Sequence, residues 1–230
     1  MKRQVIILFG PPGAGKGTQA GLISDKLSLY HFETSKILEE KFSSSDSERY
    51  IEVAGQKYDV LNEKQIWLDG KLCSPPFVAH LVKEKIKRLY DNGQDIVFSG
   101  SPRTVFEAEE LLPLIEELFG KENISVFYIK ISAEQTIYRN SHRRICELMR
   151  HSVLFGKETE GLTLCPFDGS KLVKRGLDTP DTIKVRIKEF QERTLPVLSV
   201  LEKRGLSIKE IDGERTISEV FKDIFSKING

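Results

Sequence analysis

Residues 10–18 read GPPGAGKGT and follow directly on the apolar run Val5-Ile6-Ile7-Leu8-Phe9. A buried strand that breaks into a glycine-rich turn and then a helix is a cradle for phosphate. Glycines let backbone N–H groups turn inward without Cβ clashes, and the helix offers its positive end to the anion. Lys16 adds a mobile point charge able to follow a phosphoryl group between acceptors. The spacing G-x4-G-K runs from Gly10 to Gly15-Lys16, but Gly17 stands where Ser or Thr usually follows, with Thr18 next. Five arginines, Arg103, Arg139, Arg143, Arg175 and Arg186, fall where strands or insertions are expected to end. A guanidinium grips phosphate oxygens bidentately and stays charged, so a ring of them suits phosphoryl transfer. Arg139 and Arg143, four apart on an expected helix, share a face. Any one of these arginines alone would equally suit a surface salt bridge.

The elements that must position these groups alternate between strand-length apolar runs and helical patterns. That alternation predicts an α/β fold, a doubly wound parallel sheet covered by helices on both faces. Strands are expected at 5–9, 30–33, 96–99, 126–131 and 207–211. Helices are expected at 16–29, 75–92, 104–119, 133–149, 179–204 and 216–228. Two regions fall outside the alternation. Residues 35–74 read as a helical, polar excursion with a Ser43-Ser44-Ser45 turn, and residues 144–178 as a loop-rich insertion with two cysteines and several glycines. Both are candidate mobile flaps over the phosphate loop.

Thirty-five basic residues balance 34 acidic ones, a net charge of +1, which argues against nucleic acid or an anionic membrane as the main partner. No apolar run approaches the roughly 18 residues that span a bilayer, and the first one is too short for a signal peptide. Three cysteines are odd in number and too few for a disulfide framework, so a reducing cytoplasm is expected.

The segments GPPGAGKGTQA (10–20), SGSPRT (99–104) and RNSHRR (139–144), with Arg175 and Arg186, together resemble the adenylate kinase family. They occur in that family's order and at nearly its spacing over essentially the whole chain. The resemblance implies reversible transfer of the γ-phosphoryl of Mg·ATP to AMP, giving two ADP, on a P-loop fold with a five-stranded parallel sheet. It implies a core of residues 1–34, 75–143 and 179–230, a monophosphate-binding domain of 35–74, and a lid of 144–178 that closes over ATP. Lys16, Arg103, Arg143, Arg175 and Arg186 would carry the transfer. Gly13, Ala14, Gly15, Lys16, Gly17 and Thr18, with Arg139, Arg143 and Arg215, would hold ATP. Thr34, Lys36, Lys71, Leu72, Cys73, Gly100, Ser101, Pro102, Arg103, Glu107, Arg175 and Arg186 would hold AMP. Mg2+ would arrive with ATP, and a monomer would suffice.

Departures from the family pattern concentrate on the acceptor and magnesium side. Its Thr-Gly-Asp-x-x-Arg is here Thr34-Ser35-Lys36-Ile37-Leu38-Glu39, with acid and base exchanged. Lys36 would then serve the AMP phosphate with Glu39 as its partner; the alternative is an exposed pair at a helix start. Ser99 replaces an aspartate that orients magnesium-bound water, and Glu107 replaces a glutamine that reads the adenine edge. A carboxylate accepts from an amino group but cannot donate to the neighbouring ring nitrogen, so Glu107 would suit guanine better. Kinases of GMP or of a pyrimidine monophosphate, and a nucleotide-binding module without turnover, therefore remain open.

In the insertion, Cys165-Pro166-Phe167-Asp168-Gly169 looks like half of a zinc knuckle. By the resemblance, some bacterial members of the family pair Cys-x2-Cys with Cys-x2-Cys or Cys-x2-Asp here; Cys146 stands at the first position of the other half, but Met149 occupies the second and is a poor zinc ligand. His151 is the substitute, giving Cys146, His151, Cys165 and Asp168 as a four-ligand structural zinc site. The alternative is a metal-free lid with two buried thiols. Cys73 would border the AMP base by resemblance, without redox work.

Overall fold

β1 (Val5–Phe9) is buried along its whole length and lies at the centre of the main sheet. Continuous apolar runs of this kind belong to parallel strands covered on both faces. Its neighbours are β5 (Ile96–Phe98) on one side and β6 (Ile124–Lys130) on the other, with β2 (Tyr30–Phe32) and β10 (Ile208–Asp212) outermost. All four pairings are parallel, in the order β10-β6-β1-β5-β2. The five expected strands are all present, each displaced by no more than two residues. The structure is a computed structural model describing residues 3–43, 49–149, 151–153, 159–174 and 178–228.

Successive side chains of a strand point to opposite faces, so β1 divides its residues between two cores. Val5, Ile7 and Phe9 pack with α4 (Pro75–Asp91), α5 (Val105–Phe119) and α8 (Val197–Lys203). Ile6 and Leu8 pack with α1 (Lys16–Leu27) and α9 (Ile217–Ile228).

Both excursions contain strands that the sequence reading missed. Between β2 and α4 the chain forms α2 (Thr34–Ser43), an antiparallel hairpin of β3 (Tyr50–Val53) and β4 (Gln56–Asp59), and α3 (Val60–Leu68). The expected helical excursion is thus half hairpin, turned by Ala54 and Gly55 at φ +50° and +82°. Ser44 and Ser45 of the expected serine turn lie outside the described residues. The helix expected over 133–149 stops early, as α6 (Ala133–His142). The chain then becomes β7 (Arg144–Cys146), the middle strand between β8 (Ser152–Val153) and β9 (Leu172–Lys174), because pairing on both edges outweighs local helical pattern.

The helix expected over 179–204 is also interrupted. α7 (Pro180–Glu189) runs into a wide turn, Phe190–Thr194, in which Leu195 N–H donates to Phe190 O at 2.7 Å, an i→i+5 bond. Pro196 follows immediately; its ring excludes the carbonyl four residues back and it has no N–H to give. Among the described residues, no helix is long and apolar enough to cross a membrane.

Candidate active site

Gly15 turns the loop after β1 into α1 at φ +88°, a left-handed conformation that favours glycine, and supplies no side-chain cap. The first amides of α1 therefore stay available to an anion. Lys16 folds back over this loop, its Nζ donating to Gly10 O at 2.7 Å and Pro11 O at 2.9 Å. Burial holds its pKa well below the ordinary lysine value, and the fields of Arg103, Arg186 and Arg143 push it the same way. Lys16, Arg103 and Arg186 line one cleft of about 800 Å³, open to solvent, together with Lys71, Leu72, Gly100, Ser101 and Pro102.

Arg143 and Arg186 are drawn together by Asp178, which the sequence reading missed. Its carboxylate accepts from Arg143 Nε at 2.9 Å and Nη2 at 2.7 Å, and from Arg186 Nη1 at 3.0 Å. Its side chain is only 2% exposed. An acid placed three residues after Arg175 was the available signal. Arg175 itself lies outside the described residues.

Arg139 and Arg143 do not share a helix face. α6 ends at His142, and Arg143 takes an extended backbone at φ −63° and ψ 136°. It turns to Asp178, whereas Arg139 lies near enough to Glu214 to help lower that carboxyl, behind its hydrogen bonds from Ser132. Arg215 is tied at the β10–α9 turn, to Asp223 and to Asp212 O. On the acceptor side, Thr34 Oγ1 meets the buried Ser101 Oγ at 3.1 Å, which joins the start of α2 to the 99–104 loop. Lys36 pairs with Glu33 one turn back, not with Glu39.

Glu107 is placed differently from expectation. It is buried, and its carboxylate accepts from Arg103 N–H at 2.9 Å and Thr104 Oγ1 at 3.2 Å. Thr104 Oγ1 in turn accepts from Glu107 N–H at 3.1 Å and caps α5, while Glu107 reaches back to the N–H of Arg103, one residue before the cap. Both carboxylate oxygens thus accept bonds at the helix terminus. Cys73 is buried beside Glu63, and burial first of all pushes its thiol up to about 12, so it stays protonated and inert.

Ser99 Oγ lies 2.8 Å from His31 Nε2. Burial lowers the His31 pKa from the ordinary 6.5, against the opposing pull of Glu33. A histidine kept neutral in the fold is protonated first in the unfolded chain, so its share of stability is intact above pH 6.5 and lost as pH falls through the native pKa. In thermal melts from pH 7.5 to 5, His31→Gln should lose less Tm on acidification than the unsubstituted chain. Parallel curves would remove this assignment.

Cys146, His151, Cys165 and Asp168 converge in the 144–178 insertion, with one ligand atom from each lying within 4.8 Å of all the others. His151 Nδ1 is 3.5 Å from Cys146 Sγ, 3.6 Å from Cys165 Sγ and 3.2 Å from Asp168 Oδ2. Ligands of a tetrahedral zinc, with Zn–S about 2.3 Å and Zn–N about 2.0 Å, stand about 3.5 Å apart. The donor set therefore fits zinc.

The adenylate kinase family model matches residues 8–206. The chain belongs to the adenylate kinase family. It is similar to the adenylate kinase of Oceanobacillus iheyensis, 33% identical over 224 residues that cover 96% of this chain and 97% of the relative. Similarity to the adenylate kinase of Staphylococcus aureus strain Mu50 is 32%, over 95% of this chain and 96% of that one. For that of Staphylococcus epidermidis it is 31% over the same shares. Like the rest of the adenylate kinase family, the chain is a phosphotransferase acting on nucleoside monophosphates. The five-stranded parallel sheet is the P-loop fold expected of an adenylate kinase.

Proposed function

We propose that this adenylate kinase moves the γ-phosphoryl of Mg·ATP reversibly to AMP at the cleft between the phosphate loop and residues 99–104. The observation that carries the reading is the gathering of Lys16, Arg103 and Arg186 on one cleft, with Arg143 joined to Arg186 through Asp178. Phosphoryl transfer asks for alignment and for cations around the equatorial oxygens, and these groups supply both. Lys16 and the loop amides, from Gly13 to Thr18, hold the β- and γ-phosphates. Arg143 leaves Asp178 for the donor phosphates, with Arg139 and Arg215 further out along the nucleotide. Arg103, Arg186 and Arg175 take the acceptor phosphate and the migrating group. Thr34, Lys36, Lys71, Leu72, Cys73, Gly100, Ser101 and Pro102 form the acceptor wall. Magnesium enters with its nucleotide and keeps most of its waters. The insertions 35–74 and 144–178 close over the two substrates and exclude water. A monomer in a reducing cytoplasm suits this reading.

AMP is favoured over GMP because the family model and the relatives that match over nearly the whole chain are adenylate kinases. Product analysis with ATP and each of AMP, GMP, CMP and UMP tests this. Turnover with AMP should exceed the others at least tenfold. Equal or faster turnover with GMP overturns the acceptor, and no turnover with any of them overturns the kinase.

Cys146, His151, Cys165 and Asp168 would hold a structural zinc ion that staples the lid strands and stays away from the reacting phosphates. Purified protein is expected to carry about one zinc per chain. Stripping it should lower the Tm by several degrees and weaken ATP more than AMP binding. Metal-free protein with an unchanged Tm after added zinc refutes the site.

A further inference from the structure

Residues 71–74 link α3 to α4 outside any helix or strand; the N–H groups of Gly70 and Lys71 bond back to α3, and the polar groups of Leu72 must find partners elsewhere. Leu72 finds two on one short stretch of chain. Its N–H donates to Glu189 Oε2 at 3.1 Å, and its carbonyl accepts from Arg193 Nη1 at 3.3 Å. Arg193 Nη1 also donates to the same Glu189 Oε2, at 2.9 Å. Amide, carboxylate and guanidinium thus form a closed ring across more than 110 residues of sequence.

The wide turn after α7 sets this ring. Glu189 is the last residue of α7 and Arg193 sits within the i→i+5 turn. Phe190 and Thr194 from that turn line the cleft, as do Leu72 and Lys71. Gly70 shows how closely the strap lies on α7. At φ +79°, a Cβ there would come 2.6 Å from Thr182 Cγ2 and 3.4 Å from Arg186 Cγ. Arg186, one turn before Glu189, is a phosphate arginine. The strap thus packs directly against the helix that carries that arginine.

We propose that Glu189 and Arg193 are positioning residues for the acceptor nucleotide, holding the Leu72 backbone at a fixed distance from Arg186 so that base and phosphate ends are gripped together. This rests on the adenylate kinase reading of the cleft. Glu189 lines the cleft and Arg193 stands behind it, and both hold the backbone of Leu72. An acceptor held at both ends tolerates little error in that separation, and displacement of one wall weakens it before it touches the donor site.

The test compares Arg193→Met, Arg193→Lys and Glu189→Gln with the unsubstituted enzyme. It reads kcat, both KM values, the Tm, and AMP affinity by calorimetry without ATP. Arg193→Met should raise the AMP KM and Kd about tenfold, the loss of one charge-assisted hydrogen bond, with kcat and ATP KM within twofold. Arg193→Lys should recover much of this, since an ammonium still donates. Glu189→Gln keeps an acceptor for Leu72 N–H and the shape of the side chain, so it should fold and show a smaller rise. A lowered Tm with unchanged AMP KM and Kd makes the ring a purely structural tie and overturns the proposal. Equal increases in both KM values overturn it as well. Failure of the unsubstituted enzyme to phosphorylate AMP instead condemns the reading on which it rests.

Discussion

Replacing Lys16 by methionine should lower kcat about 10³-fold while leaving the ligand-free Tm unchanged or slightly raised. The loss follows from removing one preorganised charge from a site that works by electrostatic stabilisation. The stability side follows from what surrounds the ammonium. Burial and then the three arginines press its pKa down, so the fold holds that charge at a cost. For a lysine with a lowered pKa the unfolded chain binds more proton, and stability rises with pH through that window. Two hydrogen bonds to Gly10 O and Pro11 O offset part of this cost. Steady-state kinetics with a thermal melt of the same preparation decides the matter. A large fall in Tm would make Lys16 a structural residue of the loop.

Asp178→Asn should lower the ligand-free Tm by on the order of 10 °C. Breaking a buried pair by removing one partner costs about 3–5 kcal/mol, and each kcal/mol moves the Tm of a chain this size by roughly 2–4 °C. Asparagine keeps one acceptor but leaves Arg143 and Arg186 without their shared anion, next to Lys16. Bound phosphates carry the negative charge that the variant lacks. Saturating nucleotide should therefore raise the Tm of Asp178→Asn more than it raises that of the unsubstituted chain. Turnover should fall far less than in Lys16→Met, because Arg143 leaves Asp178 for the phosphates in the loaded enzyme. An unaltered ligand-free Tm would show that the two guanidiniums do not depend on Asp178.

These outcomes concern residues of unequal visibility in the sequence. The central strands were legible because a parallel strand covered on both faces is apolar throughout, as Val5 to Phe9 are. The phosphate loop was legible because its glycines and lysine have fixed spacing. The hairpin Tyr50–Val53 and Gln56–Asp59 was missed although its signal was present. Ala54-Gly55 is a two-residue link with both φ positive, flanked by half-buried alternation. The end of α6 was not legible, because β7 exists only through partners seven and about 28 residues further on. Of the site, the sequence pointed to Lys16, Arg103 and Arg186, which line one cleft, but not to Asp178, which ties Arg186 to Arg143. Asp178 looks like any loop acid until its burial between two arginines is seen. Glu107 was read as a base contact because its neighbours matched a motif, yet Thr104 and Glu107 also have the spacing of a helix start. The four converging lid donors were legible from residue type and from the family's lid pattern together.

The single indole of the chain, Trp67, sits half-buried on the wall of the cleft and packs against Phe42 at 6.0 Å between ring centroids. Emission excited near the red edge of protein absorbance thus arises from one spot beside the acceptor. As a nucleotide displaces water there, the spectrum should move to shorter wavelength, so the enzyme carries its own unlabelled optical gauge of occupancy.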